Sequence, residues 1–338
     1  MNRRRPVLAW ALAVLALAAA LFVALATGPY PLAPADIGDA LRAALTGEAS
    51  PLDRTASSVL WQIRLPRIAA ALVVGLSLSA AGATFQTLFR NPLVSPDILG
   101  VSAGAALGAA AGIFLAFGPG AVQAMAFAGG LVAVFAVHGV SVGLRAHDPL
   151  TAIVLVGIAI GSLLGAAVSL LKYLADPNDE LPAITYWLLG SLASVTTASL
   201  YAVLPAVLAG VSVMVLLRWR IGVLSLGDDE ARSLGVSAPV VRAVAIGAAT
   251  LVTAAAVSIC GIVGWVGLVV PHAARMLVGP AYSRLLPMAL FLGAAFVLAV
   301  DTLARTGTRI ELPLGVLTAV IGTPLFVALL ARTRRGWQ

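Results

Sequence analysis

Charge is scarce in this sequence. Asp, Glu, Lys and Arg make up 10% of the 338 residues, where a soluble domain carries about a quarter. Cysteine occurs once, at Cys260, inside an apolar run. That excludes an intrachain disulfide and a cysteine-rich metal site. His138, His147 and His272 are far apart with no ligand spacing, so they read as ordinary side chains at the ends of apolar runs, and no metal site is expected. Lysine also occurs once, at Lys172, followed by Tyr173 and preceded by no glycine-rich loop. A phosphate-binding loop needs a lysine at a fixed offset from its glycines. The chain therefore lacks that route to ATP hydrolysis. Nucleophile-elbow, HExxH and paired-carboxylate patterns are missing too. The net charge of +7 comes from scattered arginines. No basic stripe or stacking platform forms, so no nucleic-acid partner is expected.

What is abundant is apolar. Hydrophobic residues reach 61%, and the mean hydropathy is +1.03. Apolar runs of about 20 residues are membrane spans. The pattern predicts an all-α, multi-pass protein in the lipid bilayer with ten spans, at 6-28, 62-87, 97-116, 119-143, 149-172, 192-217, 238-260, 262-278, 283-304 and 312-331. The basic start MNRRR before the first run also fits a signal peptide, but a run of about 22 residues suits a retained helix better. The eighth span is short and carries Pro271. Residues 29-61 read as a long outer segment, with a short surface helix in PADIGDALRAALTG between Pro34 and Gly47. Residues 174-191 read as a second outer loop holding a Pro-bounded piece of helix. With ten spans both termini share a side. Fourteen of the 21 Lys and Arg fall on that side and seven on the other, which places both termini in the cytoplasm.

Few ionisable residues stand within the spans away from their ends. Such residues mark ion and proton relays, so an ion-coupled secondary transporter of a small solute is the alternative the sequence favours less. A membrane-embedded enzyme or scaffold lacks its cluster of polar groups. Glycines recur every four residues at Gly100, Gly104, Gly108 and Gly112, and again at Gly157, Gly161 and Gly165. That spacing permits close helix packing. For the second series a smooth pathway wall is the added expectation. Residues 218-237 form the largest cytoplasmic loop and hold LGDDEARSLGV, a charged island. Asp228 and Asp229 suit a helix start, and Gly235 suits its stop.

Five ordered segments carry a resemblance. They are RLPRIAAALVVGLSLSAAGATFQTLFRNPLVSPDILGVSAGAALG (64-108), LPAITYWLLGSLASVT (181-196), LGDDEARSLGV (226-236), GWVGLVVPHAARMLVG (264-279) and ELPLGVLTAVIGTPLFVALL (311-330). Together they resemble the FecCD-type permeases, the ten-span subunits of bacterial ABC importers for iron-siderophores, haem and cobalamin. The resemblance implies one permease domain with two inverted helical halves, here 62-172 and 238-331, joined through the coupling loop 218-237. It implies a homodimer in the bacterial inner membrane. The expected partners are two cytoplasmic ATPase subunits, which bind the ATP and Mg, and an outer substrate-binding protein. No cofactor is expected on the chain itself.

The resemblance also assigns residues. Arg64, Arg67 and Arg305 would receive acids of the binding protein, although Arg64 and Arg67 also read as anchors of a helix at the interface; Arg309 is a weaker candidate. Asn91 and Leu93 would close the inner end of the pathway opposite Leu150 and Thr151, with Gly157, Gly161 and Gly165 along the wall. Gly227, Asp228, Glu230, Ala231, Leu234 and Gly235 would meet the ATPase, with Ala231, Leu234 and Val236 as an apolar contact face. A solvated charged loop is the other reading of that stretch. Iron-siderophore is the expected cargo, then haem or cobalamin, with an oxyanion such as molybdate within the wider group.

Overall fold

The computed structural model describes residues 4-48, 52-144 and 149-334. Arg3, Arg145, His147 and Arg335, which entered the expectations above, lie outside them. Helices α1 (Arg4–Ala26), α2 (Pro34–Thr46) and α3 (Arg54–Ser58) come first, and a π-helical turn, Val59–Arg64, leads into α4 (Leu65–Leu88). A 3-10 turn, Pro96–Leu99, precedes α5 (Val101–Phe114), α6 (Pro119–Gly143) and α7 (Pro149–Leu174). Then follow α8 (Glu180–Leu189), α9 (Thr197–Leu216), α10 (Arg218–Leu224), α11 (Asp228–Ser233) and α12 (Ala238–Cys260). Last come α13 (Val266–Val278), α14 (Tyr282–Thr306) and α15 (Leu314–Arg334).

Eight of these helices are long and apolar enough to cross a bilayer. The shorter apolar helices α5 and α13 make up the ten expected spans. α4, α12 and α14 form the buried centre, while α1, α7, α9 and α15 show apolar faces outward. Such sidedness fits helices that meet lipid or another subunit on one face and protein on the other.

Two expectations need correction. The second span begins earlier than residue 62, because the helix is continuous from Arg54. Asp53 caps it, its carboxylate accepting the Ala56 N–H at 2.6 Å. Pro66 then has no N–H to give, and Leu65 N–H instead reaches back five residues to the Leu60 carbonyl, closing the widened turn that ends at Arg64, ahead of Arg67. Secondly, His272 is not at a span end. It sits in the middle of α13, buried, and neither ring nitrogen has a hydrogen-bond partner among the described residues. Its ring packs edge-on against Phe326 of α15, with centroids 6.1 Å apart. Asp301, close to the C-terminal end of α14, is also buried.

The first glycine series packs helices, as its spacing implies. A Cβ on Gly104 would lie 2.3 Å from the Gly129 carbonyl oxygen, and one on Gly108 would lie 2.1 Å from that of Met125. α5 and α6 therefore touch backbone to backbone. The same holds at the centre. Pro271 cannot donate to the Gly267 carbonyl, and the helix α4 backbone fills that place: a Cβ on Gly82 would lie 1.9 Å from the Gly267 oxygen.

Candidate functional site

The candidate residues fall at the two ends of the bundle. At the end expected to face outward, the C-terminus of α1 leaves carbonyls without partners inside the helix, as every helix end does. Two arginines answer them. Arg64 donates to the carbonyls of Leu25 at 2.6 Å and Tyr30 at 2.7 Å. Arg305 donates to those of Thr27, at 2.7 Å, and Ala24. Cations at a helix C-terminus also complement its dipole. Gly28 makes room for both, since a Cβ there would sit 2.7 Å from one Arg64 nitrogen and 3.0 Å from one of Arg305.

Arg67 is held differently. Its Nε and Nη2 grip Asp301 at 2.8–3.1 Å, and its Nη1 and Nη2 grip Glu311 at 2.8–2.9 Å. A planar fork paired along two edges is the strongest carboxylate geometry arginine offers. Burial would push the Glu311 carboxyl up, but the bonds and charge from Arg67 outweigh it and hold it below the ordinary glutamate range. Glu311 also accepts the Ser191 hydroxyl at 3.1 Å.

The three arginines expected to receive a partner's acids are thus together at one end, but each is engaged within the chain. Arg64 is 4% exposed. They are not free cations, and two of them serve as helix caps. Three guanidiniums against Asp301 and Glu311 still leave the cluster at +1. Sequence reasoning missed both acids. The only signal was their apolar surroundings, in DTLAR and IELPLG. It also missed a cavity of about 990 Å3 at this end, lined by Gln123 and Phe127 of α6, Tyr186 and Trp187 of α8, Ser199 of α9 and Ser258 of α12.

At the opposite end of the bundle the charged island is helical, as expected, but its residues divide. Ala231 is fully buried in the chain's own core, as is Val236. Neither belongs to an outward contact face, because α11 uses that side to pack onto its own bundle. Leu234 is 52% exposed, and Leu226 and Trp219 are also exposed. Asp228 pairs with Arg242 of α12 at 2.7 Å, and Asp229 with Arg232 at 3.4 Å. Glu230 is exposed and folds its carboxylate over Gly227, whose φ of 139° only glycine adopts readily. Gly235, at φ 75°, ends the motif.

Asn91 and Leu93 lie in the exposed connection after α4, where the Asn91 side-chain Oδ1 accepts the Leu93 N–H at 2.9 Å. Leu150 and Thr151 open α7, Leu150 half-buried and Thr151 exposed. The second glycine series splits. Gly157 touches the 3-10 turn, where a Cβ would meet the Ile98 carbonyl at 2.2 Å, whereas Gly161 and Gly165 have open space beside them. Among the described residues no group of three His, Cys, Asp or Glu is placed to hold a metal.

Comparison with known proteins adds the following. The model of the FecCD transport family matches residues 16–332. The chain is 38% identical over 316 residues to the molybdate import system permease MolB of Haemophilus influenzae, covering 93% of this chain and 92% of that one. It is 42% identical over 280 residues to the cobalamin import system permease BtuC of Halobacterium salinarum, covering 82% and 74%. It is 34% identical over 333 residues to the Fe(3+) dicitrate permease FecC of Escherichia coli, covering 97% and 98%. Among solved structures, an inward-facing metal-chelate type ABC transporter superposes with a TM-score of 0.85 at 34% identity, covering 97% of this chain and 99% of that one. The chain belongs to the FecCD transport family.

Proposed function

We propose that the chain is the membrane-spanning permease of an ATP-driven importer, that two copies form the pathway, and that it carries a metal chelate of the iron-siderophore class into the cytoplasm. The match along residues 16–332, with outer and inner ends both intact, carries this reading. Haem and cobalamin are the next cargoes. A second reading, an oxyanion such as molybdate, is favoured by one observation: the molybdate permease aligns over 93% of the chain. The outward apolar faces of α7, with Leu155, Ile158 and Leu163, and of α15, with Val316 and Val320, suit a second copy or lipid. The inverted halves 62-172 and 238-331 would supply each copy's share of alternating access.

ATP and Mg belong to a separate cytoplasmic ATPase in this reading. Its seat is α10 and α11, with Trp219, Leu226 and Leu234 as apolar contacts and Glu230 as the exposed acid. A binding protein docks at the outer, net-positive cluster, which places both termini in the cytoplasm of an inner membrane. Reconstitution with the co-purifying ATPase and binding proteins tests this. Stimulated hydrolysis and uptake of an iron-siderophore support the first reading. Uptake of molybdate alone would replace it with the second.

The Asp228–Arg242 pair ties the ATPase seat to buried α12. Arg242→Ala should leave ATP hydrolysis near wild type and lower uptake per ATP by about tenfold, within the range of coupling effects. Arg242→Lys should restore much of it. The ratio of the two rates in one vesicle preparation reads this out, and an unchanged ratio would count against transmission through the pair.

A further inference from the structure

The two carboxylates on Arg67 are not equivalent. Asp301 stands on α14 with its side chain 1% exposed, whereas Glu311 sits in the connection before α15 with its side chain 26% exposed. Of the two carboxylates on the fork, Glu311 is the one that an outside group can reach. An acid arriving from outside gains a two-bonded pair with Arg67 only by taking its edge. The exchange replaces one carboxylate by another, and the displaced Glu311 returns to water. The charge cost of docking is therefore small, while the +1 of the cluster still draws an acid in.

Glu311 also reaches further than charge balance requires. Ser191 donates to it, and Ser191 in turn accepts from Tyr186 at 3.3 Å and from the Ala193 N–H at 3.0 Å. Tyr186 belongs to α8. Ala183, Tyr186 and Trp187 of that helix wall the cavity of about 990 Å3. The Tyr186 that links α8 through Ser191 to Glu311 is itself on the cavity wall, so the link holds the helix at the edge of open space. The backbone nearby is fixed independently, by Ser191 N–H on the Cys260 carbonyl and Leu314 N–H on that of Gly190, both 2.8–2.9 Å. Release of Glu311 would free the side-chain link and leave these anchors as pivots.

We propose that Glu311 is a positioning residue that occupies Arg67 while no partner is docked. A carboxylate of the docking protein takes its place, and the loss of the Glu311–Ser191 link lets α8 shift toward the cavity. This rests on the outer cluster being the docking face. It adds an internal competitor and a route from docking to the outer end of the pathway.

The test uses the full complex in lipid nanodiscs and the binding protein that stimulates its ATP hydrolysis. Glu311→Gln removes the competing charge. If the released state is a tenth or less of the resting population, docking tightens about tenfold or more. Amide exchange across 183-193 should quicken in the undocked variant. Ser191→Ala keeps Arg67 occupied, so docking should hold at the wild-type affinity while exchange across 183-193 quickens. A merely structural Glu311 predicts the reverse: docking unchanged or weaker in Glu311→Gln, which would overturn the proposal. Should Glu311→Gln fail to fold, wild-type protein decides, since docking must then quicken exchange at 186-193; unchanged exchange overturns it. A stimulating protein whose affinity ignores ionic strength would instead overturn the docking reading on which this rests.

Discussion

Arg67→Ala should cost the folded chain about 3–5 kcal/mol, the scale for removing one partner from a buried ionic cluster. The substitution leaves Asp301 deep in α14 with no two-edged guanidinium beside it. Arg305 does not replace it, since its Nε is 3.8 Å from Asp301 and its terminal nitrogens cap α1. The expected result is a large drop in the unfolding temperature in detergent, with little protein recovered from membranes. Arg67→Lys should recover part of the loss, because an ammonium restores the charge but not the paired edges. Adding Asp301→Asn to Arg67→Ala should also recover part, because it removes the stranded charge. Equal stability of Arg67→Ala and wild type would mean that the cluster contributes nothing to holding α4, α14 and the α15 connection together.

Gly82→Ala should be comparably severe although it adds a single carbon. That carbon would sit 1.9 Å from the Gly267 oxygen and 2.6 Å from its carbonyl carbon. Both are backbone, so no side chain can turn aside. Either α4 and α13 part along the buried centre or the chain fails to assemble, and a loss of about 3 kcal/mol or more is expected. Gly247→Ala is the control. It lies on α12 with no atom within 4 Å of the added carbon, and helix propensity alone predicts a gain of about 0.5–1 kcal/mol. Thermal unfolding of the two variants should therefore move in opposite directions. Similar behaviour would show that the α4–α13 contact is softer than its geometry implies.

Much of the fold was legible because the bilayer permits few spanning structures. Apolar runs and their breaks located the ten spans, and Pro34 and Gly47 framed α2 correctly. The charged island was recognisable as a short helix from its acids and glycines. The finer site was less legible, for a physical reason. A pattern along the chain does not record which side of a short helix meets its own bundle. Ala231 therefore read as a contact face although α11 turns it inward. Likewise, Arg64 and Arg67 read as outward cations because their partners are distant in sequence. The Arg67–Glu311 pair spans 244 positions, and Arg64 reaches Leu25 across 39. His272 read as a side chain at the end of an apolar run, whereas it stands in the middle of α13, which continues through Pro271.

If ATP, spent by another subunit, drives cargo inward through this chain, the deciding measurement is uptake into proteoliposomes holding the chain, its ATPase and its binding protein, with ATP sealed inside and ion gradients collapsed by ionophores. Uptake that continues without gradients and stops without ATP or without the binding protein is the predicted result. Uptake that collapses with the gradients and ignores ATP would contradict the account and restore the ion-coupled carrier.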